Sequence, residues 1–67
     1  MPVTITLNGT ETSVATDRLD RLLEELGYNP ATVATAVNEA FVPRLARAET
    51  RLTDGDRLEV VAPLQGG

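Results

Sequence analysis

Residues 3–27 read VTITLNGTETSVATDRLDRLLEELG, and the period of the apolar residues changes along the way. From Val3 to Leu7 apolar residues alternate with threonine, the period of two of a half-buried strand. Val3, Ile5 and Leu7 fall on the core side, with Thr4 and Thr6 on the other. Asn8-Gly9 suits the positive φ angles of a tight hairpin turn, and Glu11 to Ala15 reads as the returning strand. Leu19, Leu22, Leu23 and Leu26 then recur at i, i+3, i+4 and i+7, which is one apolar face of a helix. Thr16 and Asp17 are its candidate N-caps, and Asp17 and Asp20 lie near the positive end of its dipole. Gly27 supplies the stop, and Pro30 opposes a restart. The spacing predicts a helix of about ten residues.

Downstream, residues 33–38 read as a strand with Val33, Thr35 and Val37 on one face and Ala34 and Ala36 on the other. Periodicity does not decide which face is inward; the larger apolar area of Val33 and Val37 favours theirs. Phe41-Val42-Pro43 is a short extended piece, and Pro43, lacking an N–H, belongs at a sheet edge or strand end. Residues 44–51 are charged and irregular, with room for one helical turn, and Arg44, Arg47 and Arg51 read as a solvated series in preference to one that steers a partner. Asp54-Gly55 makes a turn. Residues 57–62 form the last strand, with Leu58 and Val60 on one face and Glu59 and Val61 on the other. The first and last strands, both β-branched and apolar on one face, are expected to be central and adjacent. The pattern is α+β, a mixed sheet packed on one amphipathic helix in two layers. It predicts one domain over 1–67, with 63–67 as a flexible C-terminal tail.

Composition narrows the chemistry. At 67 residues the chain makes one small core and leaves little room for a pocket with several inward polar groups. Six basic against ten acidic residues give a net charge of −4, with no basic stripe, so nucleic acid is not an expected partner. All six cations are Arg, so no lysine side chain is available for isopeptide or Schiff-base chemistry. With neither Cys nor His, disulfides, Cys-ligated zinc and the usual nucleophile–base pairs are excluded. Asp54 and Asp56 flank Gly55, but the distal glutamate of a calcium loop is missing, so no metal site is expected. Apolar runs are short and no leader is visible, so neither membrane insertion nor export is expected, and the reading is a cytoplasmic protein.

The chain ends Ala62-Pro63-Leu64-Gln65-Gly66-Gly67, directly after a strand. A Gly-Gly tail in that place resembles the ubiquitin-like sulfur carriers, and among them those of thiamine biosynthesis. The matching segments are Val3-Thr4-Ile5-Thr6-Leu7-Asn8-Gly9, Leu22-Leu23-Glu24-Glu25-Leu26-Gly27, Ala36-Val37-Asn38, Phe41-Val42-Pro43-Arg44 and residues 52–63, leading into Gln65-Gly66-Gly67. One departure stands out: the family often has Gly after the residue matching Asn38, where this chain has Glu39. If the turn needs positive φ there, a non-glycine residue costs about 1 kcal/mol; otherwise the turn type differs or Asn38 takes the unusual conformation.

The resemblance implies a ubiquitin-like β-grasp fold and a working group at the terminus, with Gly67 as the reacting residue and Gly66 beside it. A ubiquitin-activating-like adenylating enzyme, using its own ATP and magnesium, would convert the Gly67 carboxylate to an acyl-adenylate. A persulfide sulfur donor would then turn it into a thiocarboxylate, and a thiazole synthase would consume the sulfur. The chain itself would bind no cofactor and would not be an enzyme; catalysis would reside in the partners. Glycine suits the last two positions because, without Cβ, backbone can thread a narrow channel. Five extended residues reach roughly 17 Å, enough to enter a buried site. The partner-binding surface implied is the outward face, Ala34, Ala36, Glu59 and Val61, with Leu64 and Gln65 beyond. The same tail chemistry would serve a carrier for molybdopterin, cysteine or tRNA thiolation, or a ubiquitin-like protein modifier. A passive β-grasp interaction module would need no terminal chemistry.

Overall fold

The computed structural model describes residues 2–62. The expected hairpin is present: β1 (Val3–Leu7) and β2 (Thr10–Val14) pair antiparallel with Leu7 opposite Thr10. The two residues between them, Asn8 at φ 47° and Gly9 at φ 87°, carry the positive angles that this turn demands.

Helix α1 covers Leu19–Glu25, seven residues rather than about ten. Neither candidate cap works as one. Arg18 holds the N-cap position without a side-chain cap, and the Leu19 N–H donates to the Thr50 carbonyl at 3.0 Å. The segment after the second hairpin therefore satisfies the helix start, and Asp17 instead pairs with Arg51 at 2.9 Å. At the other end Gly27 (φ 86°) gives the left-handed stop. The N–H groups of Gly27 and Tyr28 return to the carbonyls of Glu24 and Leu23, closing the orphan carbonyls in a Schellman pattern.

Strand β3 (Ala34–Val37) and strand β4 (Ala40–Val42) form a second hairpin. A short 3₁₀ helix, Arg44–Glu49, then leads toward β5 (Arg57–Val61). The sheet order is β2-β1-β5-β3-β4, with β5 parallel to β1 and antiparallel to β3. The last strand is thus the middle one and β1 lies beside it, as the sequence predicts. Leu19, Leu22 and Leu23 of α1 bury against Val3, Ile5, Val14, Val42, Leu52, Leu58 and Val60 to form the core.

On β3 the inward face is the one carrying Val33, Thr35 and Val37, but Thr35 is its most buried member. Its hydroxyl donates to the Val42 carbonyl at 2.9 Å and accepts from Arg47 Nε at 3.2 Å, so burial costs it no hydrogen bond. Arg47 corrects the reading of a solvated arginine series. It is 3% exposed, and its Nη1 and Nη2 donate to the carbonyls of Pro30 and Val33 at 2.8 and 2.6 Å. Burial pushes its guanidinium below the usual range, with the charge of Arg44 adding to the effect.

The second hairpin turn resolves the departure at Glu39. Asn38 (φ 51°) and Glu39 (φ 72°) both lie in the left-handed region, so this turn has the same shape as Asn8-Gly9 with glutamate where glycine fits best. The Glu39–Arg57 pair spans 3.6 Å between exposed groups and returns little. Glu39→Gly is expected to stabilise the fold by about 0.5–1 kcal/mol, the left-handed cost less the extra freedom glycine gives the unfolded chain. In thermal unfolding that is a rise of roughly 2–8 °C; a lower midpoint refutes the strain.

Candidate functional site

Strand β5 organises one face and one exit. Its inward residues Leu58 and Val60 anchor it in the core, so Arg57, Glu59 and Val61 point outward. Pairing places Ala36 between Glu59 and Phe41 across three strands, and Ala34 beside Val61. Ala34, Ala36, Phe41, Glu59 and Val61 line a shallow depression of about 160 Å³. Phe41 is 69% and Val61 64% exposed, while Ala36 is half-buried. An apolar patch with one carboxylate lies on this half of the sheet. The other half is polar, Thr4 beside Ser13 and Thr6 beside Glu11.

Four of the expected partner-facing residues, Ala34, Ala36, Glu59 and Val61, are therefore brought together. Leu64, Gln65, Gly66 and Gly67, and the tail 63–67 as a whole, lie outside the described residues. Sequence reading missed Phe41 as a member of the patch. The available signal was parity: Val42 beside Pro43 takes the inward position on a three-residue edge strand, which turns Phe41 outward.

Two asparagines hold β5 in place. At its start, Asn38 Oδ1 accepts the Arg57 N–H at 3.0 Å, and Asn38 Nδ2 donates to Asp56 at 3.0 Å. Near its end, Asn8 bonds both backbone groups of Val60. Asp56 also accepts the Thr53 N–H, and this bond, with Asn38 next, holds its carboxyl below the usual 3.8. The Arg18 hydrogen bond pulls Asp20 to about 2. Because these pKa values are lowered on folding, their stabilisation is complete above the unfolded value. It disappears as pH falls from there through the folded values. The thermal midpoint is expected to hold steady from pH 7 to about 5 and to drop toward pH 2. Asp56→Asn is expected to flatten part of that acid limb; an unchanged limb refutes the assignment.

Among the described residues no three His, Cys, Asp or Glu gather as a metal site, and no helix is long and apolar enough to cross a membrane. Among the described residues, a five-stranded mixed sheet in this order, one α-helix across it and a central last strand define a ubiquitin-like β-grasp domain.

Comparison with known proteins specifies the domain further. The ThiS family model matches residues 5–67. The sulfur carrier protein ThiS of Thermus thermophilus is 39% identical over 61 residues, covering 91% of this chain and 95% of that protein. A thiazole synthase of Paramagnetospirillum magneticum is 38% identical over 64 residues; the match takes in 94% of this chain and 20% of that protein, so the chain spans about a fifth of its length. The crystal structure of the thiamine biosynthesis protein ThiS from Geobacter metallireducens has a TM-score of 0.81 at 26% identity, covering 97% of this chain and all of that one. The chain belongs to the ThiS family.

Proposed function

We propose that this chain is a sulfur carrier of thiamine biosynthesis, acting through the α-carboxylate of Gly67. The observation that carries the reading is family membership over residues 5–67, a match that includes the Gly66-Gly67 end. A free α-carboxylate is ionised at neutral pH and is a poor electrophile. In the proposed sequence a Gly67 oxygen attacks the α-phosphorus of ATP in an adenylating enzyme, with magnesium, and pyrophosphate leaves. A persulfide sulfur from a donor protein then attacks the carbonyl carbon and AMP leaves. A second thiol breaks the resulting S–S bond, becoming part of a disulfide and leaving the thiocarboxylate on Gly67. The catalytic groups belong to the partners, ATP and magnesium are theirs, and the chain is their cosubstrate. ATP-dependent activation fits a cytoplasmic location.

A thiazole synthase is the proposed acceptor. The similarity of 94% of the chain to a fifth of such a protein supports a working association between the two. The patch of Ala34, Ala36, Phe41 and Val61 is the proposed docking face, with Glu59 pairing to a cation of the partner. Ala36→Arg, at its centre, is expected to raise the KM for the carrier in adenylation by roughly tenfold or more; an unchanged KM refutes the face.

The carrier reading is tested with the adenylating enzyme, ATP, magnesium and a persulfide donor, followed by a thiol-selective alkylating agent and intact mass measurement. The chain has no Cys. An ATP-dependent alkylated species whose fragments place the label on Gly67 supports the reading. Absence of label with a competent enzyme pair refutes it. Conjugation to lysines of other proteins under the same conditions would favour a protein modifier instead.

A further inference from the structure

We propose that Asn8 is a positioning residue whose side-chain amide stands in for the next residue of β1 along β5 and fixes where the chain leaves the sheet. Strand β1 pairs with β5 only through Thr6–Arg57 and Leu7–Leu58, and the hairpin then turns away. The backbone bonds on that side end with the Asn8 N–H donating to the Leu58 carbonyl at 2.9 Å. Val60 lies two residues further on and would have lost its ladder partner. Instead, its N–H donates to Asn8 Oδ1 at 2.9 Å, and its carbonyl accepts from Asn8 Nδ2 at 3.2 Å.

A primary amide carries a donor and an acceptor in one plane, as a peptide group does. Among side chains with this short stem only asparagine offers both on separate atoms of one planar group, and asparagine also tolerates the left-handed φ that this turn position needs. On the other side Thr35 and Ala34 of β3 pair with Val60 and Val61. The end of β5 is therefore held from both sides although β1 has already turned off. Ala62 is the next residue along, and beyond it runs the segment that ends at Gly67. The inference rests on the carrier reading, in which the direction taken at Val61–Ala62 sets how the terminus approaches the nucleotide. The docking patch lies on the sheet face and does not include Asn8.

The test compares Asn8→Gly and Asn8→Asp with the parent chain in ATP–pyrophosphate exchange and in amide hydrogen exchange. Glycine keeps the positive φ and removes the amide; aspartate keeps the acceptor and loses the donor. Expected for Asn8→Gly is faster exchange at Val60 beyond that of core amides such as Ile5. In adenylation, kcat is expected to fall by roughly tenfold to a hundredfold, with KM within about twofold. Asn8→Asp is expected to fall in between. A purely structural role would raise amide exchange throughout and leave kcat unchanged under conditions where the variant is folded. Unaltered Val60 exchange, or an unaltered kcat in Asn8→Gly, overturns the inference. A parent chain that supports no pyrophosphate exchange overturns the carrier reading instead, while Val60 exchange still reports on the clamp.

Discussion

Gly67→Val is expected to fold as the parent does and to lose adenylation to below about 1% of the parental rate. The fold part follows from where the core is: among the described residues its buried members run from Val3 to Val60. The activity part follows from sterics. A β-branched side chain at the proposed reacting residue narrows its backbone choices and adds bulk beside the carboxylate that, in the carrier reading, must reach the α-phosphorus. Gly66→Ala is expected to act in the same direction with a smaller loss. The measurement is ATP–pyrophosphate exchange with the adenylating enzyme, alongside circular dichroism and urea midpoints for the fold. A Gly67→Val chain that exchanges at the parental rate refutes the steric need for glycine at this position.

Arg47→Ala is expected to cost about 2–4 kcal/mol of stability, against a total of roughly 3–10 kcal/mol for a domain of this size. The guanidinium is the common donor to the Pro30 and Val33 carbonyls and the Thr35 hydroxyl. It thereby ties the 3₁₀ helix to the connection between α1 and β3. Removing it leaves those acceptors in a site too enclosed for easy rehydration, besides the space its stem occupied. Arg47→Met separates the two effects, since it restores most of the volume and none of the donors. If hydrogen bonding dominates, Met recovers only a minor part of the loss in urea unfolding. Full recovery by Met would assign the effect to packing.

Most of the architecture was legible because period and punctuation agreed: Val3 to Leu7 alternating before Asn8-Gly9, four leucines on one helical stripe before Gly27, Leu58 and Val60 on one side of the last strand. What escaped was decided by contacts between segments far apart in sequence. The start of α1 is satisfied by Thr50, so Thr16 and Asp17 were freed for other bonds and the helix began later than its caps suggested. Arg47 resembles Arg44 and Arg51 in sequence, and only the fold reveals the backbone carbonyls around it. Glu39 kept the left-handed turn because pairing of Val37 with Ala40 requires that shape, and the strain is carried locally. The face bearing Ala34, Ala36, Glu59 and Val61 followed from strand parity together with the larger apolar area of Val33 and Val37, whereas the share of Phe41 in it was open to the same parity argument from Val42 and was missed.

The central place of β5 has a bearing on synthesis. The ribosome makes the β1–β2 hairpin, the helix and the β3–β4 hairpin first, and these two hairpins touch in the sheet only through β5. Until residues 57–61 emerge, each hairpin is an isolated pair of short strands, marginal by itself, and the leucine stripe has no finished sheet to cover. Folding of the domain therefore waits for its last strand. A product cut short before β5 stays open to proteolysis instead of accumulating as a folded domain.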